Sequence, residues 1–150
     1  MGMFDELLDR TAETIKEPPL LPPGTYVLQV KALPEETETD DWSIIQFQLI
    51  VVSVDSADED AIEAYGKVAG TPTRQAFMFS KAEDDSRGRE QSLNRLKTFV
   101  QNCGIDTDGM TMREAVAQTP GTQLLGEISH RPDKNDPDKI YLNLDKTHSL

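Results

Sequence analysis

The chain is poor in the residues that carry most catalytic and metal chemistry. It holds one cysteine (Cys103), two histidines (His130 and His148) and a single tryptophan (Trp42). A lone cysteine closes no internal disulfide and builds no cysteine-ligated structural zinc site. The two histidines stand in no helical metal-ligand spacing, and each reads as ordinary surface chemistry. A reducing cytoplasm is the compartment that fits. Long apolar runs are also absent. The longest, Leu49–Val52, is four residues, against the ~20 that a membrane-spanning helix needs. No charged segment followed by an apolar one opens the chain, so no signal peptide is expected.

Recognisable catalytic motifs are missing as well. No G-x-x-x-x-G-K-[ST] phosphate loop occurs, which excludes an ATP-driven recombinase of that type. The run Asp133–Asp138 starts like a calcium loop, but Asp138 and Leu144 stand where the glycine and the terminal glutamate belong. Asp58 and Asp60 fail sooner, because Ile62 takes the next ligand position. No acidic pair with a lysine suggests a Mg²⁺-dependent nuclease. The expectation is a non-catalytic protein with no cofactor and no metal.

What is abundant is negative charge. Asp and Glu number 27 against 15 Lys and Arg, a net charge of -12. Such a surface does not attract membranes or nucleic acid as a whole. The distribution is uneven, however. From Ala32 to Gly66 there is no Lys or Arg, while Glu35, Glu36, Glu38, Asp40, Asp41, Asp55, Asp58, Glu59, Asp60 and Glu63 all fall there. From Lys67 to Lys97 the balance reverses: Lys67, Arg74, Lys81, Arg87, Arg89, Arg95 and Lys97 face only Glu83, Asp84, Asp85 and Glu90. Inside this basic stretch lies TRQAFMFSK, residues 73–81, with aromatics between cations and no carboxylate.

Hydrophobic periodicity organises the chain. Phe4, Leu7, Leu8, Thr11 and Ile15 recur at helical spacing and predict an amphipathic helix over 3–16 with Asp5, Glu6, Asp9 and Glu13 on its other face. The proline-rich segment Glu17–Gly24 ends it and favours an extended, stiff connector. Residues 1–20 therefore read as an acidic appendage and 21–150 as the folded domain. Alternation predicts strands over Gly24–Ala32, Trp42–Val54, Thr73–Ser80, Gln123–His130 and Asp138–Lys146. An acidic loop at Pro34–Asp41 separates the first two. A polar connection over 55–70, with one helical turn at Ala61–Tyr65, leads to the third. Leu93, Leu96, Val100 and Cys103, with Phe99 beside them, predict a helix over about 88–103 stopped by Gly104. Thr111-Met-Arg-Glu114 is a capping box for a short helix to about Gln118.

Three strands, a helical insert and two more strands is the element order of an OB-fold, a partly open Greek-key barrel of five strands that binds oligonucleotides or oligosaccharides around strands 2 and 3. The fold class is thus mainly β with a helical insert. The stretch Leu21-Pro-Pro-Gly-Thr-Tyr26 resembles the opening of a family of phage-encoded OB-fold single-stranded DNA-binding proteins. So do Leu93-Asn-Arg-Leu-Lys-Thr-Phe99, Cys103-Gly104-Ile105, Gly121 and Leu125-Gly-Glu-Ile128. The resemblance spans roughly 20–146. It implies non-catalytic binding of single-stranded DNA in phage replication or recombination, in the cytoplasm of a host cell, beside phage or host replication proteins. Many such proteins carry an acidic C-terminal tail. Here the chain ends Asp145-Lys-Thr-His-Ser-Leu150, which is not such a tail, and the acidic N-terminal helix could play that part instead.

Binding a single strand requires cations for phosphates and flat side chains for bases. The candidate phosphate contacts are Lys31, Arg74, Lys81, Arg131, Lys134 and Lys139. Trp42 stands at the mouth of the barrel, where rim packing and base stacking are both open. Tyr141 alternates against Ile140, Leu142 and Leu144 and should point away from the core. Phe77 is either core or part of a stacking platform with Phe79, since Ala76 and Met78 could equally fill a small barrel. Tyr26 belongs with the core. Arg87-Gly-Arg89 could close over DNA or balance its acidic neighbours. Nothing in these residues separates DNA from RNA, because stacking and phosphate contact serve both. A different class is an acidic module that binds a basic partner protein through residues 32–66.

Overall fold

The computed structural model describes residues 2–12 and 19–150. Its elements are α1 (Met3–Leu8), β1 (Gly24–Val30), β2 (Glu35–Glu38), β3 (Trp42–Ala57), α2 (Glu59–Tyr65), β4 (Pro72–Ser80), α3 (Ser86–Asn102), α4 (Met112–Ala117), β5 (Gln123–Pro132) and β6 (Ile140–His148). The architecture is mainly β, a six-stranded open antiparallel sheet with a few helices. Its strand order is β2-β3-β1-β5-β6, with β4 on β3. Among the described residues no helix is long and apolar enough to cross a membrane.

β3 is the spine. Its first half, from Trp42 to Ile50, pairs with β4, and its second half, from Leu49 to Ala57, pairs with β1. Because β2 and β4 both pair with residues 43–46, they occupy opposite edges of β3. A flat strand of 16 residues would run about 50 Å. Register shifts at Thr25/Tyr26 and Val27/Leu28 opposite it bend the pairing so that the sheet curls. The curl brings β4 and β6 towards each other without a ladder between them. α3 bridges this seam. Ser92 donates from Oγ to the Met78 carbonyl oxygen at 2.8 Å, and Asn102 donates from Nδ2 to the Thr147 carbonyl oxygen at 3.1 Å.

The concave face holds the core: Tyr26, Leu28 and Val30 from β1, Phe47, Leu49 and Val51 from β3, Phe77 from β4, and Leu124 and Ile128 from β5. Leu96, Phe99 and Val100 of α3 plug its end. Phe47, Phe77 and Phe99 form one ring cluster, with centroids 4.7 to 6.0 Å apart. Leu21 is buried with this set, and the buried Tyr26 hydroxyl donates to the Pro22 carbonyl oxygen at 2.5 Å. Burial pushes the pKa of the Tyr26 hydroxyl and of the Cys103 thiol up from their ordinary values, because it disfavours their anions; for Cys103 a hydrogen bond with Thr122 works the other way.

Several expectations are corrected. The acidic loop is not irregular. Glu35–Glu38 forms β2, a hairpin arm that adds ladder bonds to β3 while exposing its carboxylates. α1 ends at Leu8, and residues 13–16 of the expected helix, Ile15 among them, lie outside the described residues. The approach to α3 is ordered. The Asp85 side chain accepts from Gly88 N–H, and Arg89 donates to the carbonyls of Ser80 and Ala82, so Arg89 pins the end of β4 and is not available to close over a ligand. The capping box at Thr111 forms as its sequence predicts, with Glu114 N–H donating to Thr111 Oγ1 at 3.1 Å.

Gly24, in the Leu-Pro-Pro-Gly-Thr-Tyr stretch, is required by a close approach rather than by its backbone angles. A Cβ there would lie 2.6 Å from both the Ser56 carbonyl oxygen and Ala57 Cβ. Gly24→Ala should therefore force β1 away from β3 and cost about 1–3 kcal/mol. A thermal melt will show this as a fall of roughly 2–12 °C in Tm. An unchanged Tm would mean that β3 yields freely at Ser56.

Candidate nucleic-acid interface

The pleat sorts the residues of TRQAFMFSK. Phe77 and Phe79 turn to the core side, and Arg74, Ala76 and Met78 turn outward. Phe77 is only 3% exposed and packs on Phe47 and Phe99. It is therefore removed from the candidate stacking residues: the concave face needs its ring to fill the space under α3.

The outward residues of β4 meet those of β3 in register. Ser80 is opposite Trp42, Met78 opposite Ile44, Ala76 opposite Gln46, Arg74 opposite Gln48 and Pro72 opposite Ile50. Successive alternate residues share a face, so Trp42, Ile44, Gln46 and Gln48 make one outward strip about 20 Å long. At one end stands Trp42, 39% exposed. The turn before it is tied by Trp42 N–H donating to Thr39 Oγ1 at 3.0 Å and Thr39 N–H donating to the Trp42 carbonyl oxygen at 2.8 Å. Lys81 is at this end too. Its backbone N–H donates to the Asp41 carbonyl oxygen, and its Nζ is 3.8 Å from a Glu38 carboxylate oxygen.

At the other end the strip opens into a groove of about 660 Å³ where β1, β3, β4 and β6 converge; Lys31, Gln46, Gln48, Thr73, Arg74 and Tyr141 supply its polar lining. No carboxylate lines it. Lys31 is held there because its N–H donates to the Gln48 carbonyl oxygen at 2.9 Å, which extends the β1 ladder by one residue. Tyr141 arrives from β6 across the seam. It is 45% exposed, as its alternation against Leu142 and Leu144 predicts. Ile140, expected on the core face, is exposed at the start of its strand.

Tyr141 also lines a second hollow with Arg131, Lys134, Asn135 and Asn143. Its hydroxyl donates to Asp133 Oδ2 at 2.9 Å, and Lys139 Nζ lies 5.5 Å from its ring centroid. Hydrogen bonds from Asn135 N–H, from the Tyr141 hydroxyl and from Asp136 N–H hold the Asp133 carboxyl below its ordinary value. Asp133 thus stays ionised and steers the ring. Lys139 lies over one face of that ring, which is itself partly exposed.

Six of the nine candidates therefore fall around two adjoining hollows joined by Tyr141: Lys31, Arg74 and Tyr141 in one, Arg131 and Lys134 in the other, and Lys139 on the shared ring. Trp42 and Lys81 lie at the far end of the strip, and Phe77 is in the core. The groove-lining amides Gln46 and Gln48 were not among the candidates. Their signal was present, since two amides alternating with Phe47 and Leu49 on a strand mark a polar outer face. Among the described residues no group of three or more His, Cys, Asp or Glu could hold a metal ion. Compared with known proteins, the chain matches no protein-family model and no curated protein.

Proposed function

We propose that the protein binds single-stranded DNA without catalysis and largely without regard to sequence, through the groove between Lys31, Arg74 and Tyr141. One observation carries this reading: in a chain of net charge -12, the groove at the sheet seam presents two cations, two amides and a tyrosine ring with no carboxylate among its lining residues. Phosphates would meet Lys31, Arg74, Arg131 and Lys134, and bases would stack on Tyr141 and Trp42. Amides facing the bases can donate or accept, which suits a site tolerant of every base.

The finer fold reading is an OB-fold. β1, β3, β4, β5 and β6 would be its five strands and α3 the helix between the third and fourth. In support, β1 lies between β3 and β5, and β4 and β6 close on each other through α3. In such folds the ligand lies on strands 2 and 3 between the loops joining strands 1–2 and 4–5; here that is β3 and β4 between 31–41 and 133–139. The resemblance in residues 20–146 supports a phage origin and a role in replication or recombination in the host cytoplasm.

The test is a titration with poly-dT and with duplex DNA at several salt concentrations, following Trp42 fluorescence beside a gel shift. Saturable, salt-sensitive binding of the single strand alone is expected. Tyr141→Ala should weaken it by about 1–3 kcal/mol, the usual worth of one stacked base. Absence of any binding at low salt would overturn the reading. Poly-rU in parallel separates DNA from RNA preference.

A further inference from the structure

The outward face of the sheet is laid out in rows that cross β3. Lys31 continues the β1 register opposite Gln48, and Arg74 of β4 is opposite Gln48 on its other side. In the next row Glu35 of β2 is opposite Gln46, with Ala76 of β4 on the other side. Residues directly opposite one another share a face, so Glu35 turns to the same surface as the groove-lining Gln46. Glu36 agrees with this phase: it is opposite Ile45, and the two line a separate hollow beside α4. The second row lies about 7 Å from the first, two residues along β3.

Glu35 is also the β2 carboxylate whose charge is left unbalanced. Glu36 is 3.4 Å from Arg113, and Glu38 is 3.8 Å from Lys81. Glu35 is exposed and has no ion-pair partner among the described residues. An unneutralised carboxylate thus stands just outside the groove lining, one row from Lys31 and Arg74.

That position separates one nucleic-acid backbone from two. From β4 across β3 to the β1–β2 side is two strand spacings, about 10 Å. The backbones of a B-form duplex stand about 6 Å apart across the minor groove and about 12 Å apart across the major groove. A duplex lying along β3 with one backbone over Arg74 therefore brings the other to the Lys31 side. Lys31 alone would welcome it, but that backbone must run on along the same edge, where it meets Glu35. A single strand is not held to that course. It can cross from Lys31 over Gln48 to Arg74 and leave along β4, where Ala76 is small and uncharged.

We propose that Glu35 sets the groove's preference for single strands by repelling the second backbone of a duplex. This rests on the DNA reading of the groove and adds to it the residue that discriminates. The test follows the anisotropy of a labelled oligo-dT and of a labelled oligo-dA·oligo-dT duplex of the same length, at low salt. The proteins are the unaltered chain, Glu35→Gln, Glu35→Lys and Glu63→Gln. Glu63 lies on α2, past the other end of β3, and controls for the change in net charge. Glu35→Gln should raise duplex affinity about 5-fold, the worth in water of one unit charge ~4 Å from a phosphate. Its single-strand affinity should change no more than that of Glu63→Gln. Glu35→Lys should raise duplex affinity further and steepen its dependence on log salt by about 0.9, for one more phosphate neutralised. Duplex affinity unmoved by both Glu35 variants, or moved as much by Glu63→Gln, overturns the inference while oligo-dT binding keeps the DNA reading standing. So does an equal rise for single strand and duplex. Failure of the unaltered protein to bind oligo-dT overturns both.

Discussion

Replacing Lys31 and Arg74 together by alanine should lower affinity for single-stranded DNA about 100-fold at low salt, at roughly 1.5 kcal/mol for each charged hydrogen bond to phosphate that disappears. Both side chains line a groove that has no carboxylate among its lining residues and no other cation within it. The same variant should flatten the dependence of log affinity on log salt by about 1.4, because a single strand releases roughly 0.7 counterion per neutralised phosphate. The measurement is an equilibrium titration at several ionic strengths. Lys81→Ala makes the comparison: Lys81 lies at the Trp42 end and shares its charge with Glu38, so its removal should matter less. An unchanged affinity and slope in the double variant would remove the groove from the reading. Sensitivity to neutralising Glu35, Glu36 and Glu38 instead would favour the acidic module that binds a basic protein.

The second large effect is on stability and should leave binding alone. Phe77→Ala removes a ring from the Phe47–Phe77–Phe99 cluster and opens a cavity under α3. Such truncations cost about 3–5 kcal/mol, which in a chain of this length lowers Tm by roughly 6–20 °C. Measured well below its melting point, the variant should bind single-stranded DNA as the unaltered protein does. A fall in affinity without a fall in Tm would put Phe77 back on the binding surface and contradict its burial. Together with Tyr141→Ala, this separates the aromatic residues that build the protein from those offered to a ligand.

Most of the secondary structure was legible in the sequence, because period and punctuation are local properties. Alternation marked the strands at 24–30, 42–57, 72–80, 123–132 and 140–148 to within a few residues. The capping box at Thr111 and the stop at Gly104 bounded helices through chemistry confined to a few neighbouring residues. β2 was hidden because Glu35-Glu-Thr-Glu38 has no apolar alternation. It is a strand only because the edge of β3 offers it ladder bonds, which is a tertiary circumstance.

The candidate site was legible only in its parts. Sequence placed cations and a tyrosine at Lys31, Arg74, Arg131, Lys134, Lys139 and Tyr141, and alternation correctly turned Tyr141 outward. It could not choose a face for TRQAFMFSK, because Ala76 and Met78 can fill a core as well as Phe77 and Phe79 can. That choice is made by the ring of Phe99, which comes from a helix distant in sequence and fits against Phe47 and Phe77 only from one side. Nor could sequence bring Tyr141 beside Arg74: β4 and β6 meet through the curl of β3 and the bridge of α3, and a curl belongs to the whole sheet and not to any one strand. The chain by itself determined which residues alternate, where helices begin and stop, and where charge collects; the packed sheet decided which of those residues share a groove.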